Sequence, residues 1–263
     1  MTATVALTAG GLAALAVIAG VFGLVIGSFL NVVVARVPEG RSVVSPPSAC
    51  PRCGTPIRPR DNIPVLSWLV LRAKCRSCGQ PISWRYPAVE ALTAACFVAL
   101  ALRFGASLTL PAEAALTAGL VALGLIDADT MRLPKKVVWP TAAVLVALLL
   151  VAAGVGGQWH RLGVAAISAA VSGAVFLLIH LAVPRGMGFG DVRLSPVIGL
   201  GLGWVGWEWA FVGFFLANLI GAVVGIALIA AGRHQRRQPI PFGVFLAVGA
   251  FVALLVPHLP SLR

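Results

Sequence analysis

Two carboxylates and four thiols are the residues of this sequence whose types and spacing could do chemistry. The chain has only eight acids in 263 residues. Asp127 lies in "LIDADTMRLP" and Asp191 in "GMGFGDVRL", each where a long apolar run meets a polar turn. An ionisable group at membrane depth is a functional candidate by default. Two carboxylates brought together cannot both ionise cheaply, so they share one proton and can hold a water between them. That is how aspartic proteolysis draws a nucleophile and an acid from one pair, and the titration then belongs to the pair. Asp129 follows Asp127 by two residues, so on a continuing helix it points to another face. Gly186, Gly188 and Gly190 are expected to let the backbone turn tightly and an extended substrate strand approach.

The other acids have simpler expectations. Glu39 and Asp61 belong to a polar loop and are read as solvated or paired with its arginines. Glu113 and Glu208 fall near the outer ends of apolar segments, where solvation is cheap. Glu90 is read as a partner of Arg85.

The thiols form two C-x-x-C-G knuckles, "CPRCG" with Cys50 and Cys53 and "CRSCG" with Cys75 and Cys78, separated by 21 residues. Each knuckle turns two sulfurs to one side, and together they offer a tetrahedral S₄ shell suited to Zn²⁺. The spacing is close to the zinc pattern of paired Cys-x₂-Cys motifs. The competing readings are disulfides and four unrelated thiols. A cytoplasmic loop disfavours disulfides, because thiols there stay reduced. A closed Cys₄ site leaves no position for substrate, so its expected role is structural. Cys96 reads as a small buried hydrophobe.

These residues must be positioned by membrane helices. The chain is 59% hydrophobic and 11% charged, against about 25% charged in soluble domains. A spanning helix needs about 20 apolar residues. Eight spans are expected, near 8–34, 87–104, 112–129, 137–153, 162–183, 193–205, 208–232 and 241–257. The first is read as retained rather than as a cleaved signal, being long and without a basic start. Of the 20 Lys and Arg, 17 then fall on one side, including Arg185, Arg233, Arg236 and Arg237; only Arg103, Arg161 and Arg263 fall on the other. The positive-inside rule makes the crowded face cytoplasmic and puts both termini outside. The same rule accounts for the basic loop without nucleic acid.

The motifs carry a resemblance. From about residue 20 onward the chain resembles the bacterial type IV prepilin leader peptidase family. "GSFLNVVVARVP" is similar to that family's first helix and its exit, and the cysteine loop to its cytoplasmic zinc loop. "GLIDADTMRLP" resembles the stretch bearing the first catalytic aspartate, seven residues before the proline. "GMGFGDVRL" resembles the G-x-G-D stretch bearing the second, and "QPIPFGVFLAVGAF" the last-helix signature. Two departures stand out. Lys135 and Lys136 follow Pro134, where the family commonly has an acid or amide. Val244 replaces the second proline of P-F-G-P. Both are expected to bear on packing of the turns, leaving the aspartates untouched.

The resemblance implies an all-α integral membrane enzyme with residues 1–86 as first helix plus zinc loop, associated with methylation, and 87–263 as a polytopic aspartic peptidase domain. It implies cleavage of type IV prepilins or pseudopilins after a glycine that ends a basic leader, at the cytoplasmic membrane face. N-methylation of the new terminus by S-adenosylmethionine follows. No G-x-G-x-x-G follows a strand, so no Rossmann cofactor site is visible. A peptidase-only relative is the nearest alternative. A transporter would place its acids near the midplane in repeated halves. A non-enzymatic zinc-loop assembly factor would have no need of both aspartates.

Overall fold

A computed structural model describes residues 8–183, 187–232 and 240–256, so Gly186, Arg185, Arg233, Arg236, Arg237 and Arg263 lie outside the described residues. Among the described residues the fold is all helical. α1 (Ala9–Arg36) leads into the cysteine loop, which carries a short helix α2 (Leu66–Val70). There follow α3 (Arg85–Phe104), α4 (Thr109–Thr130), α5 (Lys135–Gly156), α6 (Trp159–Ala182), α7 (Phe189–Val205), α8 (Trp207–Ala230) and α9 (Phe242–Leu255). The eight long helices answer to the eight expected spans. Six are long and apolar enough to cross a membrane; α7 and α9, at 17 and 14 residues, are shorter.

The breaks have local causes. α4 ends at Met131, which takes a left-handed conformation and returns its N–H to the Asp127 carbonyl at 2.8 Å. Pro134 caps α5, where its missing N–H costs nothing. Gly206 alone separates α7 from α8.

The chain divides into two compact units, Ala6–Leu102 and the chain from Arg103 onward. In the first, α1 lies against α3 at backbone distance. A Cβ on Gly27 would stand 2.6 Å from the Cα of Glu90, so only glycine fits. In the second, α7 packs against α4, α5, α6, α8 and α9. It therefore carries the most buried face of the bundle, with Leu194, Ile198 and Leu202 enclosed.

One acid departs from its sequence reading. Glu113 is not solvated: it is 0% exposed, and neither carboxylate oxygen has a hydrogen-bond partner. α4 begins at Thr109, which puts Glu113 in its second turn, and Gly201 of α7 brings the helix against the carboxyl group. Glu208 is exposed, as expected. Glu90 is buried, and its Oε2 accepts the N–H of Val65 at 2.7 Å.

Candidate active site and metal centre

Asp127 sits in the last turn of α4 and is 5% exposed. Its Oδ2 accepts the N–H of Gly243 at 2.8 Å, and the N–H of Val244 is directed at the same carboxyl. Both donors belong to the first turn of α9, whose N-terminal N–H groups have no partner within the helix. The positive end of the helix dipole also lies there, so α9 is an anion clamp for this carboxylate.

Asp191 occupies the first turn of α7 and is 7% exposed. Its carboxylate takes the backbone N–H of Gly188, the N-cap residue, while its own N–H reaches the Gly188 carbonyl at 3.1 Å. Only the half in which the third helical residue reaches back to the N-cap can form here, because Gly188 has no side chain to return a bond. Asp127 and Asp191 lie close enough to interact electrostatically. The structure thus brings together two nearly buried carboxyl groups, Asp127 held on one side by a backbone donor and Asp191 beside the N-terminus of its own helix. Asp129 is exposed, on another face of α4.

Gly188 and Gly190 do not make the tight turn that the sequence suggested, and Gly186 lies outside the described residues. Gly188 has φ −68°, so it makes no left-handed turn, and Gly190 is helical. The need is for space. A Cβ on Gly190 would lie 2.9 Å from Leu133 Cβ, and one on Gly243 would lie 2.9 Å from Leu133 Cδ2 and 2.9 Å from Asp127 Oδ2. Leu133, buried between two glycine surfaces, draws α7 and α9 toward the end of α4.

Four features escaped sequence reasoning. The α9 donors lie 116 residues from Asp127, and only the family likeness of "PIPFG" pointed to that segment. Val244, expected to affect turn packing only, touches Asp127 because valine keeps the N–H that proline lacks. Leu133 stands beside a motif but looks like an ordinary apolar residue. His180 stands in the last turn of α6, with Nδ1 3.0 Å from the Met187 carbonyl and its ring 5.5 Å from that of Phe189. It ties α6 to the glycine-rich segment, and no sequence signal marked it.

The cysteine loop is built twice on one plan. Cys50 N–H donates to the Thr55 carbonyl and Gly54 N–H to the Cys50 carbonyl, at 3.0 and 2.9 Å. Cys75 N–H donates to Gln80 and Gly79 N–H to Cys75, at 2.8 and 2.9 Å. Gly54 and Gly79 take φ of 71° and 69°, the left-handed turn that closes each knuckle. The four Sγ atoms lie within 4.8 Å of one another, and the Cys50 and Cys78 sulfurs are 3.9 Å apart. Tetrahedral Zn–S bonds of about 2.3 Å put sulfurs about 3.8 Å apart, so this cluster fits a metal ion and is too open for disulfides. Hydrogen bonds to the Thr55 hydroxyl and N–H hold the Cys53 thiol down at about 6. Burial and the neighbouring sulfurs push the Cys78 thiol up to about 11 in the same cluster, so a metal ion would have to displace protons as it binds. Cys96 is buried on α3.

Comparison with known proteins agrees with this arrangement. Residues 21–104 match the family described as Bacterial Peptidase A24 N-terminal domain, and residues 114–226 the Type IV leader peptidase family. The chain is 38% identical to a "Prepilin leader peptidase/N-methyltransferase" of Aeromonas hydrophila, over 89% of this chain and 88% of that protein. Proteins of the same description from Bacillus subtilis and Pseudomonas aeruginosa are 36% and 37% identical, over 89% of this chain and 92% and 87% of theirs. No solved structure matches the chain.

Proposed function

The chain belongs to the type IV leader peptidase family, and from that premise we propose that Asp127 and Asp191 are the carboxylate pair with which it cuts prepilin leaders. It is a multi-pass membrane endopeptidase of prepilins that also N-methylates its product. The observation that carries the assignment is the pairing itself. The two nearly buried carboxyl groups interact and stand at helix ends, with Asp127 fixed by the Gly243 N–H.

The chemistry follows from that geometry. One carboxylate takes a proton from a water held between the pair, and the water attacks the carbonyl of the scissile glycine. The other, protonated, polarises that carbonyl and then protonates the leaving amine. The α9 donors keep Asp127 from swinging away as charge moves within the pair, so little reorganisation is needed during the reaction. A basic leader followed by an apolar helix presents its junction at the membrane boundary, and acids carried at the ends of α4 and α7 suit that level.

The asymmetry of basic residues supports an inner-membrane orientation with both termini outside and the cysteine loop and aspartates cytoplasmic. Cys50, Cys53, Cys75 and Cys78 would hold a structural Zn²⁺ that fixes the loop of the methylation-associated region, 1–86, ahead of the peptidase region, 87–263. S-adenosylmethionine would supply the methyl group. Mass spectrometry of a prepilin co-expressed with the protein tests both activities. The expected product lacks its leader and carries one methyl group on the new terminus; an uncut prepilin would refute the proposal.

A further inference from the structure

The cysteine loop is polar by composition, yet its helix α2 is turned inside out for a segment in water. Ser67 faces inward: it is buried, its Oγ donates to the Arg60 carbonyl at 3.1 Å, and it accepts the Ile63 N–H at 2.9 Å. The outward residues are Leu66, Leu69 and Val70, which are 53%, 58% and 68% exposed, with Trp84 at 73% nearby in sequence to α3. A helix bathed in water hides its apolar side.

The position of α2 gives the reason. Trp68 Nε1 donates to the Ile82 carbonyl at 3.1 Å, tying α2 to the segment that enters α3. Val65, the residue before α2, takes φ 58° and donates its N–H to Glu90. Glu90 lies five residues into α3, about 7 Å along its axis, and faces Gly27 of α1. Gly27 is nine residues, about 13 Å, from Arg36, the first charge in the chain. The start of α2 is therefore held against the second turn of α3, opposite a stretch of α1 that carries no charge.

Charge identifies what covers the face. Both acids of the loop are already paired, Glu39 with Arg41 and Asp61 with Arg76 at 2.6 and 2.7 Å. Arg58, Arg60, Arg72 and Lys74 are exposed around α2. A surface so basic repels a basic leader and suits an anionic lipid surface.

We propose that α2 and Trp84 form an interfacial foot seated in the bilayer the protein spans, with Leu66, Leu69 and Val70 among the acyl chains and Arg72 and Lys74 on anionic phospholipid headgroups. Trp84 then sits at headgroup level, where indole is favoured. Each basic side chain close to an anionic surface contributes about a fivefold gain in affinity for that surface. The seat does not involve the aspartates, so its failure and theirs are separable.

The test uses the full-length, zinc-loaded protein in nanodiscs of equal phosphatidylglycerol and phosphatidylcholine, with bromine on the acyl chains of one lipid or the other. The Trp84 signal is the fluorescence difference between the wild type and Trp84→Phe. Brominated phosphatidylglycerol should quench it at least twice as strongly as brominated phosphatidylcholine. Arg72→Gln with Lys74→Gln should bring the two to parity while leaving zinc content unchanged. Equal quenching of the wild type would overturn the anionic preference. No quenching by either lipid, with full quenching by aqueous iodide, would overturn the seat. Shielding of Trp84 only on addition of prepilin would give the face to the substrate and overturn it as well.

Discussion

Gly243→Ala probes the α9 clamp with one methyl group. The new Cβ would lie 2.9 Å from Asp127 Oδ2 and 3.1 Å from its Cγ, where ordinary contact begins near 3.4 Å. Leu133 Cδ2 would stand at 2.9 Å as well, so the methyl presses on two side chains at once. The carboxyl must retreat by about half an ångström, which lengthens the 2.8 Å bond from Gly243 N–H to about 3.3 Å, just beyond the usual range, so that much of its strength is lost. A hydrogen bond to a charged group is worth about 1.5–3 kcal/mol, which converts to a loss of about 10- to 150-fold in kcat/KM. Helix propensity acts in the opposite direction, since alanine is favoured over glycine by about 1 kcal/mol in a helix interior. Stability should therefore hold while activity falls. The assay is leader removal from a purified prepilin, read by mass, beside zinc content and Tm. Gly124→Ala is the control. It lies one turn before Asp127, and its Cβ would meet Ala247 at an ordinary 3.5 Å; its activity should stay within about twofold of wild type. A folded Gly243→Ala protein of near-normal kcat/KM would refute the clamp.

Val244→Pro removes a donor from Asp127 and sits in the first turn of α9, where proline is tolerated. It should lower kcat/KM less than Gly243→Ala, with Tm little changed; the reverse order in the cleavage assay would contradict the geometry. Changing Cys50 and Cys78 together to Ser should abolish bound zinc in elemental analysis, and undiminished zinc would place the ligands elsewhere. Single cysteines at 42 and 158, in a background cleared of other cysteines, should label from opposite sides of the membrane.

The legible features were those written in contiguous sequence. Apolar runs set off by Gly206, Pro134 and the charged turns revealed the long helices. The two knuckles revealed the sulfur cluster, because each needs only five consecutive residues to form. What stayed hidden depends on partners distant in the chain. Nothing near Glu113 announces that α7 will enclose it, and nothing near Asp127 names Gly243 as its donor. Gly190 looked like a turn and serves as a surface for Leu133, since a glycine chosen for space leaves the same letter as one chosen for φ. Leu66, Leu69 and Val70 were absorbed into a basic loop because five residues are too few to register as an apolar segment.

The central claim is that one pair of carboxyl groups does the cutting. Asp127→Asn, Asp191→Asn and the double variant should be compared with Asp129→Asn for prepilin cleavage, each protein shown to be inserted and zinc-loaded. Each single change leaves the remaining acid without the partner that shares its proton. Both singles should therefore be inactive, and the double variant no worse than either. Asp129→Asn, on an exposed face of α4, should keep most of its activity. Near-normal cleavage by Asp191→Asn would contradict the account, and loss with Asp129→Asn but not Asp127→Asn would move the chemistry to the other acid of "DAD".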